Sequence, residues 1–176
     1  MNRRPQQSEY NPYYHTYISK VKDEDILKVL EDGKHHTLNL LRALPEQIGN
    51  LRYAPDKWTI KELLLHVVDA ERIFACRALR IARNDQTPLP GFDQDNYVPH
   101  SDAAQRSLAS VREEYAAVRE ATLHLFRYFT DEMWQRIGTA SGSPVSARAL
   151  AYIIAGHETH HINILQERYL EGEVNG

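Results

Sequence analysis

The sequence predicts an all-α protein, a four-helix bundle with long inter-helix loops and an N-terminal aromatic arm. Three observations predict it. Four separate segments place apolar residues at the three- and four-residue steps of an amphipathic helix. No segment alternates apolar and polar residues around a hairpin turn. A chain of 176 residues with 42% hydrophobic content is large enough for one buried core. It therefore reads as a single domain over 1–176, with an arm over 1–22 followed by a bundle over 23–171.

The arm carries Tyr10, Tyr13, Tyr14 and Tyr17 together with Pro5 and Pro12. So many tyrosines suit packing across a bundle better than disorder. The first helix is expected over Asp23–Ile48, where Ile26, Leu30, Gly33, Thr37, Leu40 and Leu44 share a stripe. The second opens on Thr59-Ile60-Lys61-Glu62, a capping box in which hydroxyl and carboxylate each satisfy an orphan backbone N–H. Leu63, His66, Ala70, Ile73 and Arg77 line one face of it, and it ends near Arg83 and Asn84. Residues 85–101 hold three prolines and a glycine and read as a long loop. A third helix from near Asp102 sets Leu108, Val111, Tyr115, Val118, Thr122, Leu125 and Phe129 on 3-4 spacing. A helical turn follows at Asp131–Arg136, then a second loop at Gly138–Pro144. Ser146 caps the fourth helix, which is expected to run to about Leu170 before Gly172 ends it.

Composition removes several function classes. A formal net charge of −3 and the lack of a basic stripe argue against nucleic-acid partners. The single cysteine, Cys76, excludes an internal disulfide framework and suits a reducing compartment. The N-terminus has no apolar run behind its charges, so it is not read as a secretory signal. The longest uninterrupted apolar stretch, Ala149–Gly156, is too short for a bilayer. The expectation is a cytoplasmic protein with no membrane partner.

Residues 157–161 read His-Glu-Thr-His-His, an H-E-x-x-H string. At about 100° per residue, His161 falls about 40° from His157, and Leu150, Ile153, Ile154 and Ile164 lie within about 60°. Both histidines therefore face the bundle interior, one turn apart, able to aim at one ion. Glu158, at about 100°, and His160, about 60° to the other side, flank that stripe. His66 is the third candidate ligand, on the inner face of the second helix between Leu63 and Ala70. Three protein ligands leave coordination positions open, which is the catalytic rather than the structural pattern. A zinc-protease reading fails, because only fifteen residues follow His161 and they hold no histidine. His35 and His36 on the first helix, with His15, His100 and His124, are weaker candidates.

The stretch Tyr53-Ala-Pro-Asp-Lys-Trp-Thr-Ile-Lys-Glu-Leu-Leu-Leu-His-Val-Val-Asp-Ala-Glu71, with Gly156-His-Glu-Thr-His-His-Ile-Asn-Ile-Leu165 downstream, resembles the DinB-like superfamily. In particular it looks like the YfiT-like metal-dependent hydrolases of that superfamily. Arg4-Pro5, Glu9-Tyr-Asn-Pro-Tyr-Tyr14 and the loop Pro88–Tyr97 resemble one subgroup. The resemblance implies a four-helix bundle, often a homodimer, with a divalent metal, zinc or nickel, on three histidines. Those positions map onto His66, His157 and His161. Relatives use such a metal to activate a low-molecular-weight thiol, as thiol S-transferases or thiol-dependent isomerases.

The expected function is a metal-dependent enzyme acting on a small-molecule substrate, either a hydrolase or a thiol S-transferase. The alternatives are a non-catalytic metal-binding or stress-response module, and a metal-free helical dimer with all three histidines as core. Glu62, Asp69, Glu158 and His160 are the candidates for orienting the imidazoles. Glu158 is also a candidate general base, whereas Arg72 and Arg77 read as salt-bridged structural residues.

Overall fold

The computed structural model describes residues 4–22 and 24–170. The arm is not a plain strap. It makes single helical turns at Gln7–Glu9 and Pro12–Tyr14 and a short helix α1 (His15–Ile18), with Tyr10, Tyr17 and Ile18 buried. Arg4 fastens its far end, one guanidinium nitrogen donating to the Ile18 carbonyl at 2.8 Å. Helix α2 (Ile26–Ala43) begins on Asp25, whose carboxylate accepts from the Leu27 and Lys28 amides. The predicted end at Ile48 is too late. Leu44 precedes Pro45 and is extended, the conformation proline imposes on its predecessor, and only a separate turn at Glu46–Asn50 follows.

Helix α3 (Ile60–Ala82) starts on the predicted capping box, with both Thr59 and Glu62 bonds formed. The segment after it is less loop-like than expected. Asp93 caps a short helix α4 (Gln94–Tyr97), which leads into a turn at Val98–His100. Helix α5 (Leu108–Arg127) begins on Ser107 rather than near Asp102, which sits in the left-handed region at φ 53°. Helix α6 (Asp131–Gln135) matches the predicted turn.

Residues 137–146 correct the reading of a second loop and of a strand-free chain. Strands β1 (Ile137–Ala140) and β2 (Ser143–Ser146) pair antiparallel, Ile137 opposite Ser146 and Ala140 opposite Ser143. Ser141 and Gly142, both at positive φ (52° and 74°), form the two-residue turn that matches strand twist. Helix α7 (Ala147–Ile164) is capped by Ser146 as predicted and widens into a π-helical segment, Leu165–Leu170. The predicted stop at Gly172 lies outside the described residues.

Helices α2, α3, α5 and α7 form the four-helix bundle: α3 packs on α7 and α5, α2 on α5 and α7, and α1 lies across α7. Long connections separate α3 from α5 and α5 from α7. Two main apolar clusters fill it, one around Phe74, Phe126, Leu150 and Ile153, the other around Leu41, Leu63, Val111 and Ile162. His66 on α3 and His157 on α7 fall between these two sets in sequence, where the apolar column is interrupted. Among the described residues, no helix is long and apolar enough to cross a membrane.

Candidate metal centre

His66, His157 and His161 are buried, and each offers a ligand atom within 4.8 Å of the others. Ring centroids are 4.8 Å apart for His66 and His157, 4.7 Å for His66 and His161, and 4.5 Å for His157 and His161. The Nε2 atoms of His66 and His157 stand 3.0 Å apart. Two nitrogens on one tetrahedral zinc ion at about 2.0–2.1 Å are separated by about 3.3–3.4 Å, so this hydrogen-bonded pair need open by only a few tenths of an ångström to share an ion. Among the described residues, His161 Nδ1 is the one buried side-chain nitrogen or oxygen without a hydrogen-bond partner. A native core rarely leaves such an atom unpaired. A cluster built purely as core would satisfy it; a ligand site has reason not to. The donor set and the orphaned nitrogen both fit a divalent ion.

Burial also sets the protonation state. It pushes the His66 pKa down to about 4, with His160 adding repulsion, and that of His161 to about 3, with His66 and His160 adding to it. His157 is driven in the same direction by burial and by its three histidine neighbours. The rings are therefore neutral at physiological pH, the form that donates a lone pair to a metal. The same depression makes a stability prediction for the metal-free protein. Below pH 6.5 the unfolded chain takes up protons that the native rings refuse, so stability falls with pH. The urea midpoint should drop steadily from pH 6.5 to 5, a window above the carboxylate range. A level midpoint across it would contradict neutral buried imidazoles.

Aromatic groups surround the cluster. Trp58 lies against His66 at 4.9 Å, Tyr17 meets His157 edge-on at 5.2 Å, and Phe74 meets the same ring at 6.0 Å. His160 stays half-buried beneath Tyr17 at 5.4 Å and outside the three-histidine group. His15, His35, His36, His100 and His124 are exposed and take no part in the cluster.

Glu158 does not face the histidines. It is buried about a quarter turn around α7 from His157, where its carboxylate accepts from Thr37 Oγ1 at 2.9 Å, from the Tyr115 hydroxyl and from Arg119 Nη1 at 2.8 Å. Arg119, fully buried on α5, also grips both carboxylate oxygens of Glu71 at 2.8 Å. Burial opposes the guanidinium charge, but the two carboxylates outweigh it and hold the Arg119 pKa well above its ordinary value. Sequence reasoning missed this triad, because the 3-4 spacing put Val118 inward and Arg119 at the edge. Glu62 is occupied as the α3 cap and is bonded to Arg52. Asp69 lines a small cavity beside His66, and burial pushes its carboxyl pKa up. Arg72 is salt-bridged to Asp69 and Glu114, as expected. Arg77 instead pins the hairpin and the α3–α5 connection, donating to the Pro90 carbonyl at 2.7 Å and the Ser141 hydroxyl at 3.1 Å.

Besides the small cavity beside His66, two larger ones reach the cluster. One of about 300 Å³ has His157 in its wall and is otherwise mostly aromatic. Another, of about 260 Å³, has His161 in its wall, with Trp58, Tyr169, Asp56, Lys57 and Asp95. Helix α4 contributes to both, through Gln94 and Asp95 respectively.

Comparison with known proteins agrees with this architecture. Residues 30–165 match the family model of the DinB superfamily. A protein of Oceanobacillus iheyensis named "putative metal-dependent hydrolase" is 24% identical over 148 residues, covering 81% of this chain and 84% of that protein. YfiT from Bacillus subtilis, described as "a probable metal-dependent hydrolase with an unusual four-helix bundle topology", superposes with a TM-score of 0.72 at 16% identity, over 94% of this chain and 92% of that one. A mycothiol-dependent maleylpyruvate isomerase superposes with a TM-score of 0.67 at 14% identity, over 82% of this chain and 61% of that one. At these identities the two superpositions show a shared fold.

Proposed function

The chain belongs to the DinB superfamily, and from that premise we propose that it is a metal-dependent hydrolase of small molecules, with His66, His157 and His161 as ligands of one divalent ion. The observation that carries this reading is the gathering of three neutral imidazoles from two helices, with no carboxylate among them. A divalent ion on three protein ligands supplies a Lewis acid with open positions, able to bring the pKa of a bound water to about 7 or to deprotonate a thiol. His₃ sets suit zinc and nickel alike.

The chain's own residues do the rest. Trp58, Tyr17 and Phe74 fix the imidazole planes by edge-on and tilted contact and keep bulk water from the ligands. Glu158 is withdrawn from proton transfer by its three partners on α2 and α5. Asp69 shares the small cavity beside His66, and burial makes its carboxyl hold its proton more readily than an ordinary one. A second reading, thiol S-transfer with a low-molecular-weight thiol as cosubstrate, is favoured by one observation. His157 and His161 open on separate cavities, which gives room for two reactants.

Protein purified without an affinity tag and loaded with zinc or nickel should hold about one ion per chain. His157→Ala should weaken binding by more than about 100-fold, beyond the 10–100-fold carried by outer partners, while exposed His124→Ala should not. Less than about 0.1 ion per chain after loading would sink the site. Loaded protein is then assayed for ester and amide hydrolysis and for thiol transfer onto electrophiles. Any activity found must disappear in His66→Ala; a loaded protein inert in every assay is the outcome for a metal-binding module without turnover.

A further inference from the structure

We propose that the cavity on the His157 side is a binding site for an uncharged planar aromatic group, so that the substrate presents its reacting group to the ion while its ring sits among Tyr13, Tyr14, Tyr17, Phe74 and Phe92. This inference rests on the metal reading above and adds the substrate class.

The cavity measures about 300 Å³, at the lower end of small-molecule sites and sufficient for one substituted ring. Its walls form a connected series of ring contacts. Tyr13 meets Tyr14 at 5.4 Å and 74°, Tyr14 meets Phe74 at 6.1 Å and 87°, and Phe74 meets Phe92 at 6.2 Å and 71°. The series ends on the cluster itself, because Phe74 and Tyr17 both contact the His157 ring edge-on. Such walls offer a guest ring the offset and edge-to-face geometries that aromatic pairs prefer. A ring bound there lies next to a candidate ligand, which places any substituent it carries near the ion.

Charge narrows the class further. Among the described residues no lysine or arginine lines the cavity, and the one formally charged side chain in its wall is Asp93, which caps α4. Arg77 approaches the Phe74 and Phe92 rings at 5.9 and 5.6 Å but is committed to the Pro90 carbonyl and the Ser141 hydroxyl, and it is not in the wall. Away from the ion, nothing in the wall compensates a carboxylate or phosphate carried on the ring. The cavity on the His161 side, which contains Lys57, is built differently.

The experiment uses cobalt(II)-loaded protein and hydroxamates, which bind an accessible ion and change its ligand-field spectrum. Acetohydroxamate tests whether the ion has open positions. Benzohydroxamate tests the aromatic box and should bind at least tenfold tighter. 4-Carboxybenzohydroxamate should lose that gain. Tyr14→Leu and Phe92→Leu keep apolar bulk but remove a ring face; each should erase most of the tenfold preference and change acetohydroxamate binding less than twofold. Tyr53 lines the cavity on the His161 side, and Tyr53→Ala should leave the preference intact. Acetohydroxamate binding with no benzohydroxamate preference overturns the aromatic site and leaves the metal reading standing. A preference that survives Tyr14→Leu and Phe92→Leu but falls in Tyr53→Ala moves the ring to the other cavity and also overturns it. If neither hydroxamate perturbs the spectrum, the ion has no accessible position and both readings fall.

Discussion

Arg119→Met is expected to destabilise the protein by about 4 kcal/mol, within the 3–5 kcal/mol typical of breaking a buried ion pair. The loss does not come from the attraction of one surface pair, which is worth little. It comes from leaving Glu71 and Glu158, both buried, without the cation that holds them. Arg119 also donates to the Leu30 carbonyl at 3.1 Å, so its removal unties α2, α3 and α7 at once. For a chain of this length the melting temperature should fall by roughly 10 °C, at about 2–4 °C per kcal/mol. Arg119→Lys should recover little, because an ammonium cannot grip Glu71 with two parallel bonds. The triple variant Glu71→Gln, Arg119→Met, Glu158→Gln should recover a large part, since it leaves no buried charge. Urea unfolding of the four proteins measures this. A single variant within about 1 kcal/mol of wild type would mean the carboxylates had taken protons or water instead.

The triad bears on the candidate centre. Glu71 lies five residues after His66 on α3, and Glu158 follows His157 on α7. Arg119 therefore fixes the rotation and height of the two helices whose histidines must meet. The Glu158 letter that makes the pentapeptide look like a protease motif is the anchor of α7, and its acidity serves packing.

How much of this could be read from the residues alone depends on the distance between partners. The gathering of three histidines was legible: His157 and His161 are one turn apart on an apolar face, and His66 sits on the inner face of a helix whose start is marked by a capping box. Caps at Thr59 and Ser146 were legible for the same reason, since donor and acceptor lie three residues apart. The partners of Glu158 were not, because Arg119, Tyr115 and Thr37 stand 39, 43 and 121 residues away. A hydropathy stripe scores a buried, fully paired arginine as surface, which is why Val118 displaced Arg119 in the predicted face. The hairpin was missed because its strands have four residues each, with Gly138 in one and Pro144 in the other. Its Ser141-Gly142 turn was the available signal, weaker than Asn-Gly. The tyrosine arm was rightly expected to pack, but its register over the histidines depends on a contact that no local pattern encodes.

That contact is at Gly156, and Gly156→Ala is expected to lift the arm from the bundle. A Cβ there would lie 2.1 Å from the Tyr17 carbonyl oxygen and 2.4 Å from its carbon, both backbone atoms that no rotamer change can clear. The glycine lets α1 cross α7 at backbone contact, one residue before His157. The added methyl would ordinarily favour a helix by about 1 kcal/mol. Here overpacking opposes it, at about 1–3 kcal/mol or more, and relief requires moving the whole short helix. The prediction is a net loss of about 2 kcal/mol in urea unfolding, with faster proteolytic cleavage between α1 and α2. Because Tyr17 carries its ring onto His157 and His160, the arm takes the aromatic wall with it. The benzohydroxamate preference should therefore fall toward unity even if the ion stays bound, a result distinct from losing a ligand. Wild-type stability and an unchanged cleavage pattern in Gly156→Ala would show that the arm can shift without cost, and that its position does not define the cavity.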